Sequence, residues 1–399
     1  MAFAHQVGGH ANTILASPLS ASTLIKPSSA RELAFYQHLA PSLDPHLVGE
    51  WTPAFYGTLK LAGKVHPEGG VAQVPPATDV EPEMLVLENL TYRFVRPNVL
   101  DIKLGTQLFD EDASPDKQDR MRRAALASTS ARAGVRLTGF QVWDHGQQTY
   151  VQTDKPFGRA LTVDELPLGM ARFFYPPLSG PSAAERAAAA TATTSSSTAS
   201  LNPSTSTPTA PTPPPPTPLA LPLPLPLHLL LPVLRTLVRR LDDLVHTWSR
   251  LALRMRGGSL LVVVEGDPDA LERALERAQD EADKTAKAAR ARRERGLREE
   301  GEGEGEGEGV GEREEEEGDD DDADSVSTAT SGGTAAPHTL QAFDVRVIDF
   351  AHTRALVDGE EGPDEGVLTG LRTVRALVDG LVERLTELQR SEEDEARER

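Results

Sequence analysis

The sequence predicts an α+β fold, because strand and helix patterns alternate along most of the chain. Short apolar runs rich in β-branched residues, such as Ser259–Val264 (SLLVVV), predict strands. Apolar residues at helical spacing, as in Gly366–Leu388, predict helices. Two segments interrupt the alternation with compositions that do not form a packed core, at residues 182–226 and 292–337.

The remaining elements follow in chain order. Thr23–Lys26 predicts the first strand, and Ser28–Leu39 predicts a helix with Ser29 as its N-cap. The further predicted strands are Glu83–Leu90, Val135–Trp143 and Phe343–Phe350. The further predicted helices are Leu161–Phe174 and Leu229–Met255, the second with an apolar face and basic residues opposite it.

The two interrupting segments divide the chain into three blocks. Residues 182–226 are rich in Ser, Thr and Pro, and residues 292–337 in Glu, Asp and Gly, so we expect both to be disordered. Loop-closure entropy grows slowly with length, so the blocks can still pack as one folded unit. The blocks are residues 1–181, 227–291 and 338–391, followed by a charged tail at 392–399.

The composition excludes several classes of protein. The chain of 399 residues contains no cysteine, which rules out disulfides, thiolate nucleophiles and Cys-based metal sites and favours an intracellular protein. The N-terminus lacks the pattern of a signal peptide. The most apolar stretch, Leu219–Leu234, is shorter than a membrane span and is interrupted by prolines, so we expect a soluble protein.

The net charge of −20 is unevenly placed. Arg298–Asp324 contains 16 acidic residues and two arginines, a net −14 within the predicted acidic insertion. Pro115–Arg136 contains six basic and two acidic residues, a local +4. The average charge argues against a polyanionic ligand, whereas the basic patch favours one.

Three motifs carry residues suited to phosphate chemistry. Asp101 and Lys103 share one face of a strand in RPNVLDIKLG, where they can form a surface ion pair or face a reacting phosphate. Asp349 ends an apolar strand, where it can cap the next turn or hold Mg²⁺. The turn Gln6–His10 (QVGGH) precedes the strand residue Lys26, as a phosphate-covering loop precedes a phosphate-binding lysine. The order of these parts is that of a two-lobed ATP phosphotransferase.

The motifs resemble those of a known family. Pro97–Gly105 (PNVLDIKLG) fits P-x-x-x-D-x-K-x-G, the signature of the inositol polyphosphate kinases. QVGGH, KPSSARELAFY, LVLENLT, SLLVVVEGD and IDFAHT occur in the family's order, and NVLDIKLGTQLFDEDASPDKQDRMRR most resembles the fungal multikinase branch of the arginine-regulation type. The resemblance implies two kinase-like lobes with ATP between them. Residues 1–181 would form the N-terminal lobe, the signature and the substrate helix, and the later blocks the C-terminal lobe.

The resemblance also implies roles for individual residues. ATP would contact Lys26, Asp101 and Asp349, with Glu88 and Leu90 flanking the adenine through backbone groups, and Asp349 would bind Mg²⁺. Asp101 and Lys103 would be the catalytic pair. The residues implied to bind the inositol phosphate are Arg31, Lys103, Lys117, Arg120, Arg122, Arg123, Lys155 and His352.

The implied activity is phosphorylation of inositol 1,4,5-trisphosphate to tetrakis- and pentakisphosphates. The short spacing from Gly105 to Leu137 resembles a multikinase more than a trisphosphate 3-kinase. Two alternatives remain open: an inositol hexakisphosphate kinase, and a non-catalytic adaptor of a transcription complex. The expected ligands are inositol phosphates and a phosphoinositide headgroup. Transcription regulators are expected partners, and nucleic acid is not. We expect a monomer in the nucleus and cytoplasm.

Overall fold

The computed structural model describes residues 2–8, 13–44, 47–60, 64–65, 71–72, 83–187, 222–302 and 340–398. The chain forms two compact units. The first comprises Met1–Glu272 and Leu340–Arg399 and contains the sheets described below; the second is Arg273–Thr339. Among the described residues, no helix combines the length and apolarity that crossing a bilayer requires.

The first sheet is antiparallel and has the order β1-β2-β6-β3. Its strands are β1 (Leu15–Ala16), β2 (Thr23–Pro27), β3 (Phe55–Lys60) and β6 (Glu83–Glu88). Between β3 and β6 lies a two-stranded ribbon of β4 (Lys64–Val65) and β5 (Val71–Ala72). Because β2 pairs with β6, Lys26 lies opposite Leu85 in the middle of this sheet.

A helical segment connects β2 to β3. Ser29 caps α1 (Ala30–Ala34) by accepting a hydrogen bond from the Glu32 amide, as the sequence predicts. The segment then continues as a π-helix at Phe35–Leu39, followed by α2 (Ala40–Leu43) and α3 (Leu47–Glu50). The π turn places the buried Phe35 ring against Phe350, with 3.8 Å between ring centroids. π turns of this kind occur frequently at functional sites.

The second sheet is antiparallel, with the order β12-β11-β7-β8-β9. Its strands are β7 (Pro97–Leu104), β8 (Val135–Asp144), β9 (Thr149–Thr153), β11 (Ser259–Glu265) and β12 (Phe343–Ile348). A separate ribbon pairs β10 (Leu253–Met255) with β13 (Thr353–Ala355). The central strand β7 is buried along nearly its whole length, which is why Asp101 and Lys103 lie deep in the fold.

The further helices are α4 (Pro115–Leu126), α5 (Ser130–Ala133), α6 (Lys155–Ala160), α7 (Leu166–Phe174), α8 (Leu227–Trp248), α9 (Pro268–Glu302) and α10 (Glu365–Glu398). Of these, α5, α6, α7, α8 and α10 pack against this sheet. Helix α8 packs along α10 through fully buried leucines such as Leu234 and Leu241. Each buried leucine contributes roughly 1.5–3 kcal/mol relative to an exposed one, so this apolar stripe holds the pair together.

Three sequence predictions need correction. The helix predicted at Leu229–Met255 ends at Trp248, because Leu253–Met255 pairs as a strand and the Met255 amide donates to Asp364. Helix α9 continues past residue 291 to Glu302, since its sequence is rich in Ala, Arg and Glu, which favour helix. Helix α10 likewise extends through most of the predicted tail at 392–399.

The edges of the first predicted insertion are ordered. The Ser182 amide donates to Glu185, which also pairs with Arg172, and Leu225 is buried. The remaining part of that insertion, residues 188–221, and the acidic residues 303–339 lie outside the described residues. Their expected disorder stays a prediction.

A glycine contact between α5 and α10 gives the first testable prediction. Gly134 has a φ of +66°, and a Cβ built on Gly370 would lie 2.4 Å from the Gly134 carbonyl oxygen. We expect Gly370→Ala to destabilise the fold by about 1–3 kcal/mol in urea unfolding, because backbone must move. Gly380→Ala on the same helix is the matched control. No atom lies within 4 Å of its Cβ, so we expect about 0.5–1 kcal/mol of stabilisation. Equal losses in both variants would contradict this packing.

Candidate active site

Lys26 joins the two lobes through an ion-paired cluster. Its Nζ donates to Glu32 Oε1 at 2.8 Å and to Asp349 Oδ1 at 2.5 Å. Burial alone would lower the pKa of Lys26, but the carboxylates of Asp349 and Glu32 outweigh burial and raise it. Glu32 is 2% exposed and also accepts a hydrogen bond from the Phe350 amide. Lys26 is therefore a fixed cation at the boundary between the sheets.

Asp349 adopts an unusual backbone conformation directly after β12. Its φ of +66° lies in the left-handed region, which non-glycine residues rarely enter. Such strain persists where the surroundings hold the residue in place, and it clusters at functional sites. Here the buried Phe350 and the Lys26 ion pair hold it. Burial opposes ionisation of Asp349, but Lys26, and after it Lys103, keep its pKa below the usual range.

Asp101 and Lys103 lie on β7 beside this pair. The Asp101 side chain is 4% exposed, and its Oδ1 has no hydrogen-bond partner in the part of the chain that the structure describes. Burial and the nearby Asp349 carboxylate raise the pKa of Asp101 to about 6, although Lys103 opposes the shift. Lys103 donates to the Gly257 carbonyl at 2.6 Å, and burial lowers its pKa. A surface ion pair, one of the two alternatives from sequence, is therefore not what these residues form.

The predicted phosphate-covering turn lies against Asp101. A Cβ built on Gly8 would lie 1.7 Å from Asp101 Oδ2, so only glycine fits there. Gly9 and His10 lie outside the described residues. The segment before Gly8 forms a wall shared by two cavities, because Phe3, Gln6, Val7 and Gly8 line both.

The first cavity has apolar walls and a charged floor. Its walls include Leu24, Leu87, Val99 and Leu261, and its floor consists of Lys26, Asp101 and Asp349. Glu88, Asn89 and Leu90 form one edge. The Glu88 amide already donates to Ala54, while the Asn89 side chain donates to Ala21 and accepts from Thr91. These hydrogen bonds hold the edge in place, so its remaining backbone groups have fixed positions from which they could bind a ligand.

The second cavity adjoins the same glycine from the side of β9 and α6. It is lined by Gly8, Gln152, Thr153, Asp154 and Lys155, among others. The structure therefore places Lys155 near the segment that ends at Gly8 and at the start of α6. Gly158 lets that helix approach β8 closely, since a Cβ there would lie 2.0 Å from the Leu137 carbonyl oxygen.

Two residues predicted to bind the inositol phosphate pair with carboxylates. Arg31 pairs with Asp110 and with Asp112, each at 2.9 Å. His352 Nδ1 pairs with the same Asp110, which is nearly buried. Arg31 and His352 therefore lie beside the cluster, but a phosphate would have to compete with Asp110 to bind them.

The predicted basic helix is α4, which Ser114 caps. All four cations predicted on this helix are exposed: Lys117, Arg120, Arg122 and Arg123. Arg122 pairs with Asp119 at 2.6 Å and lies over the Phe109 ring. The structure places the helix just after the loop that contains Asp110, and its side chains are accessible to a ligand.

Arg136 is a site residue that the motif analysis missed. It lies on β8 directly opposite Lys103 in the strand register. Among the half-buried arginines in the described ranges, Arg136 is the one without a carboxylate partner in an ion pair. Burial and the nearby Arg159 lower its pKa. Arg136 is one of the basic residues that give Pro115–Arg136 its local charge of +4. Only the strand register shows that it lies opposite Lys103.

The described residues contain no group of three or more acidic, His or Cys side chains arranged to hold a metal ion. The carboxylate of Asp349 is 36% exposed and faces the first cavity. Magnesium commonly takes one or two protein carboxylates and completes its shell with phosphate oxygens and water. Asp349 fits that mode of binding.

These features define a two-lobed fold with a charged cleft between its sheets. A comparison with models of protein families identifies the family. The sequence model of the family "Inositol polyphosphate kinase" matches residues 84–195 and 229–379. Since this match covers more than half of the chain, the chain belongs to the inositol polyphosphate kinase family, as the signature motif predicts.

Individual relatives are similar over part of their length. The inositol polyphosphate multikinase of Schizosaccharomyces pombe is 29% identical over 180 residues, 43% of this chain and 62% of that protein. The Saccharomyces cerevisiae multikinase is 26% identical over 213 residues, 43% of this chain and 59% of that protein. Mouse inositol hexakisphosphate kinase 3 is 35% identical over 97 residues, 24% of each chain. The chain thus spans about three fifths of the fungal relatives' length.

A solved structure confirms the fold. The crystal structure of the inositol phosphate multikinase of S. cerevisiae, in complex with ADP and Mn²⁺, has a TM-score of 0.51 to this chain at 22% identity. The alignment covers 90% of this chain and 99% of that one. The predicted two-lobed kinase-like architecture is therefore correct.

The buried carboxylate of Asp101 gives the second prediction. A folded-state pKa of about 6, raised from 3.8, means that wild-type stability falls as pH rises through this interval. We expect Asp101→Asn to unfold at a higher temperature than wild type at pH 7.5, by up to roughly 3 kcal/mol in stability, with the difference vanishing near pH 4. Asp164→Asn, at an exposed position, is the control and should change neither value. A lower Asp101→Asn midpoint at pH 7.5 would contradict this environment.

Proposed function

We propose that the protein is an inositol phosphate kinase that uses ATP and a divalent cation. The observation that carries the proposal is the cluster of Lys26, Asp101 and Asp349 at the floor of a cavity with apolar walls, with Lys103 next to Asp101 on β7. Two cations and two carboxylates in a desolvated site suit a reaction that moves negative charge between oxygens.

The first cavity is the proposed nucleotide site. Its apolar walls at Leu24, Val99 and Leu261 suit a nucleobase, and its edge at Glu88–Leu90 offers backbone groups for recognition. Lys26, fixed by two carboxylates, is positioned to hold the α- and β-phosphates. The ADP in the related yeast structure supports this assignment.

Asp349 is the proposed ligand of the divalent cation, for which we propose Mg²⁺. When bound, the cation neutralises charge on the phosphates and orients them. The left-handed turn fixes the carboxylate at the cavity floor. The yeast relative binds Mn²⁺ together with ADP, which supports the use of a hard divalent ion.

Transfer needs a base and charge stabilisation. Asp101 is proposed to orient the acceptor hydroxyl and take its proton while the hydroxyl oxygen bonds to the γ-phosphorus. The bond to the β–γ bridging oxygen breaks, and ADP leaves. A pKa of about 6 suits a base that is ionised at neutral pH yet able to accept a proton. Lys103 stabilises the charge on the transferred phosphoryl group.

The substrate is proposed to lie on the side of Lys103, Arg136 and Lys155. Within the described ranges Arg136 forms no ion pair with a carboxylate, and Arg159 lies near it, so an anionic phosphate there would relieve the repulsion between the two arginines. The exposed cations of α4 would contact further phosphates. An accessible helix supports several substrate orientations, so we propose the sequence from inositol trisphosphate to tetrakis- and pentakisphosphate. A phosphoinositide headgroup fits the same charges.

One observation favours a second candidate. Over 97 residues this chain is 35% identical to a mouse inositol hexakisphosphate kinase, a higher identity than to the fungal multikinases over longer spans. Product analysis separates the candidates. We expect turnover of Mg-ATP with inositol 1,4,5-trisphosphate and weak turnover with the hexakisphosphate. The reverse preference would assign the second activity, and no turnover with any inositol phosphate would contradict both.

The third prediction concerns the reacting pair. We expect Asp101→Asn and Lys103→Ala each to lower kcat with the trisphosphate by at least about a hundredfold, since each removes a transition-state interaction. Circular dichroism and unfolding midpoints should show a retained fold. Lys284→Ala, at an exposed position on α9, is the control and should keep the wild-type rate. Wild-type kcat in either active-site variant would contradict the assignment.

A further inference from the structure

The covering segment, residues 2–8, touches both lobes. On one side, the Phe3 amide donates to the Ile14 carbonyl at 3.1 Å, and Ala2 bridges to Leu15 of β1. On the other side, the ring of His5 contacts β8 and β9 of the second sheet. Gly8, at the end of the segment, rests on Asp101. The position of this short segment therefore determines the shape of both cavities.

One side-chain hydrogen bond anchors the segment to the second sheet. The amide nitrogen of Gln141, a residue 1% exposed, lies 2.8 Å from His5 Nδ1 and 3.1 Å from the Pro97 carbonyl oxygen. A carbonyl oxygen can only accept, so the Gln141 amide must face it with a donor. Its second hydrogen then points to His5, and His5 Nδ1 must accept with a lone pair.

That geometry requires a neutral imidazole. A protonated ring has donors at both nitrogens and would face the Gln141 NH₂ group with a second donor. The groups around the ring do not compensate a positive charge: Phe3 and the Tyr150 phenol stand edge-on to it, at 5.7 and 5.5 Å between centroids. Arg96 and Glu265 interact with Tyr150 from beyond the ring. Burial of His5 lowers its pKa, which also favours the neutral ring.

We propose that His5 is a positioning residue: its neutral ring, anchored by Gln141, holds the covering segment with Gly8 on Asp101 and so keeps the nucleotide cavity in its binding-competent form. This inference rests on the proposed function. Losing the anchor leaves the segment in place for only a fraction of the time. The apparent affinity for nucleotide then falls in proportion to that fraction, while the rate at saturation is preserved.

The variant His5→Phe tests this role, because it retains an aromatic ring against Phe3 and Tyr150 and removes the acceptor. At pH 7.5 we expect the Kd for Mg-ADP, measured by calorimetry, and the KM for ATP to rise roughly five- to tenfold, with kcat within about twofold of wild type. His38→Phe is the matched control: His38 is exposed on the π turn, and its substitution should leave all three values unchanged.

A pH series separates positioning from a general loss of structure. As pH falls below 6.5, a growing fraction of wild-type His5 is protonated and loses its anchor, so the Kd ratio of His5→Phe to wild type should decrease as pH falls. A ratio that stays constant with pH, or a His5→Phe Kd within twofold of wild type at pH 7.5, would overturn the proposal.

Hydrogen–deuterium exchange of the nucleotide-free protein gives a readout that does not depend on the kinase assignment. Amides of residues 3–8 should exchange faster in His5→Phe than in wild type and in His38→Phe. Unchanged exchange would overturn the anchor even if the protein proves to be a kinase. Faster exchange without nucleotide binding by wild type would instead overturn the proposed function and the role of His5 in nucleotide affinity.

Discussion

The ion pair between Lys26 and Asp349 is the interaction on which the rest of the site depends. It connects a strand of the first sheet to the turn after a strand of the second, over a sequence separation of 323 residues. Glu32 shares the same ammonium group and binds the Phe350 amide, so the pair, the left-handed turn and the stacked Phe35 and Phe350 rings stabilise one another. Because the Lys26 ammonium group lies between the carboxylates of Glu32 and Asp349, their negative charges are neutralised in part where solvent is largely excluded.

This arrangement explains why Asp101 differs chemically from Asp349 although both are carboxylates of one cluster. Asp349 is paired directly with a lysine, which outweighs desolvation and lowers its pKa, whereas burial and the neighbouring Asp349 carboxylate raise the pKa of Asp101. Environments that separate the pKa values of neighbouring carboxylates are characteristic of acid–base assignments. In the proposed reaction, Asp349 stays ionised and binds the divalent cation, and Asp101 accepts the proton of the acceptor hydroxyl.

The sequence predicted the strands around Lys26, Asp101 and Asp349, because apolar runs of fixed period determine them locally. It also predicted that Gly8 lies near the phosphate chemistry. It did not predict the π turn at Phe35–Leu39, the anchoring of His5 by Gln141, or the role of Arg136, since each depends on pairings between distant strands and helices. The overlong prediction for α8 has the same origin: β10 forms only because β13, about a hundred residues later, pairs with it.

The proposed role of Asp101 as the base of a phosphoryl transfer is tested most directly by the pH dependence of kcat with Mg-ATP and inositol 1,4,5-trisphosphate at saturation. With a pKa of about 6, the carboxylate becomes protonated below that pH. We expect kcat to be constant above pH 7 and to decline, approaching tenfold per pH unit, below about pH 5.5. A kcat that stays constant from pH 8 to pH 5 would contradict the assignment of Asp101.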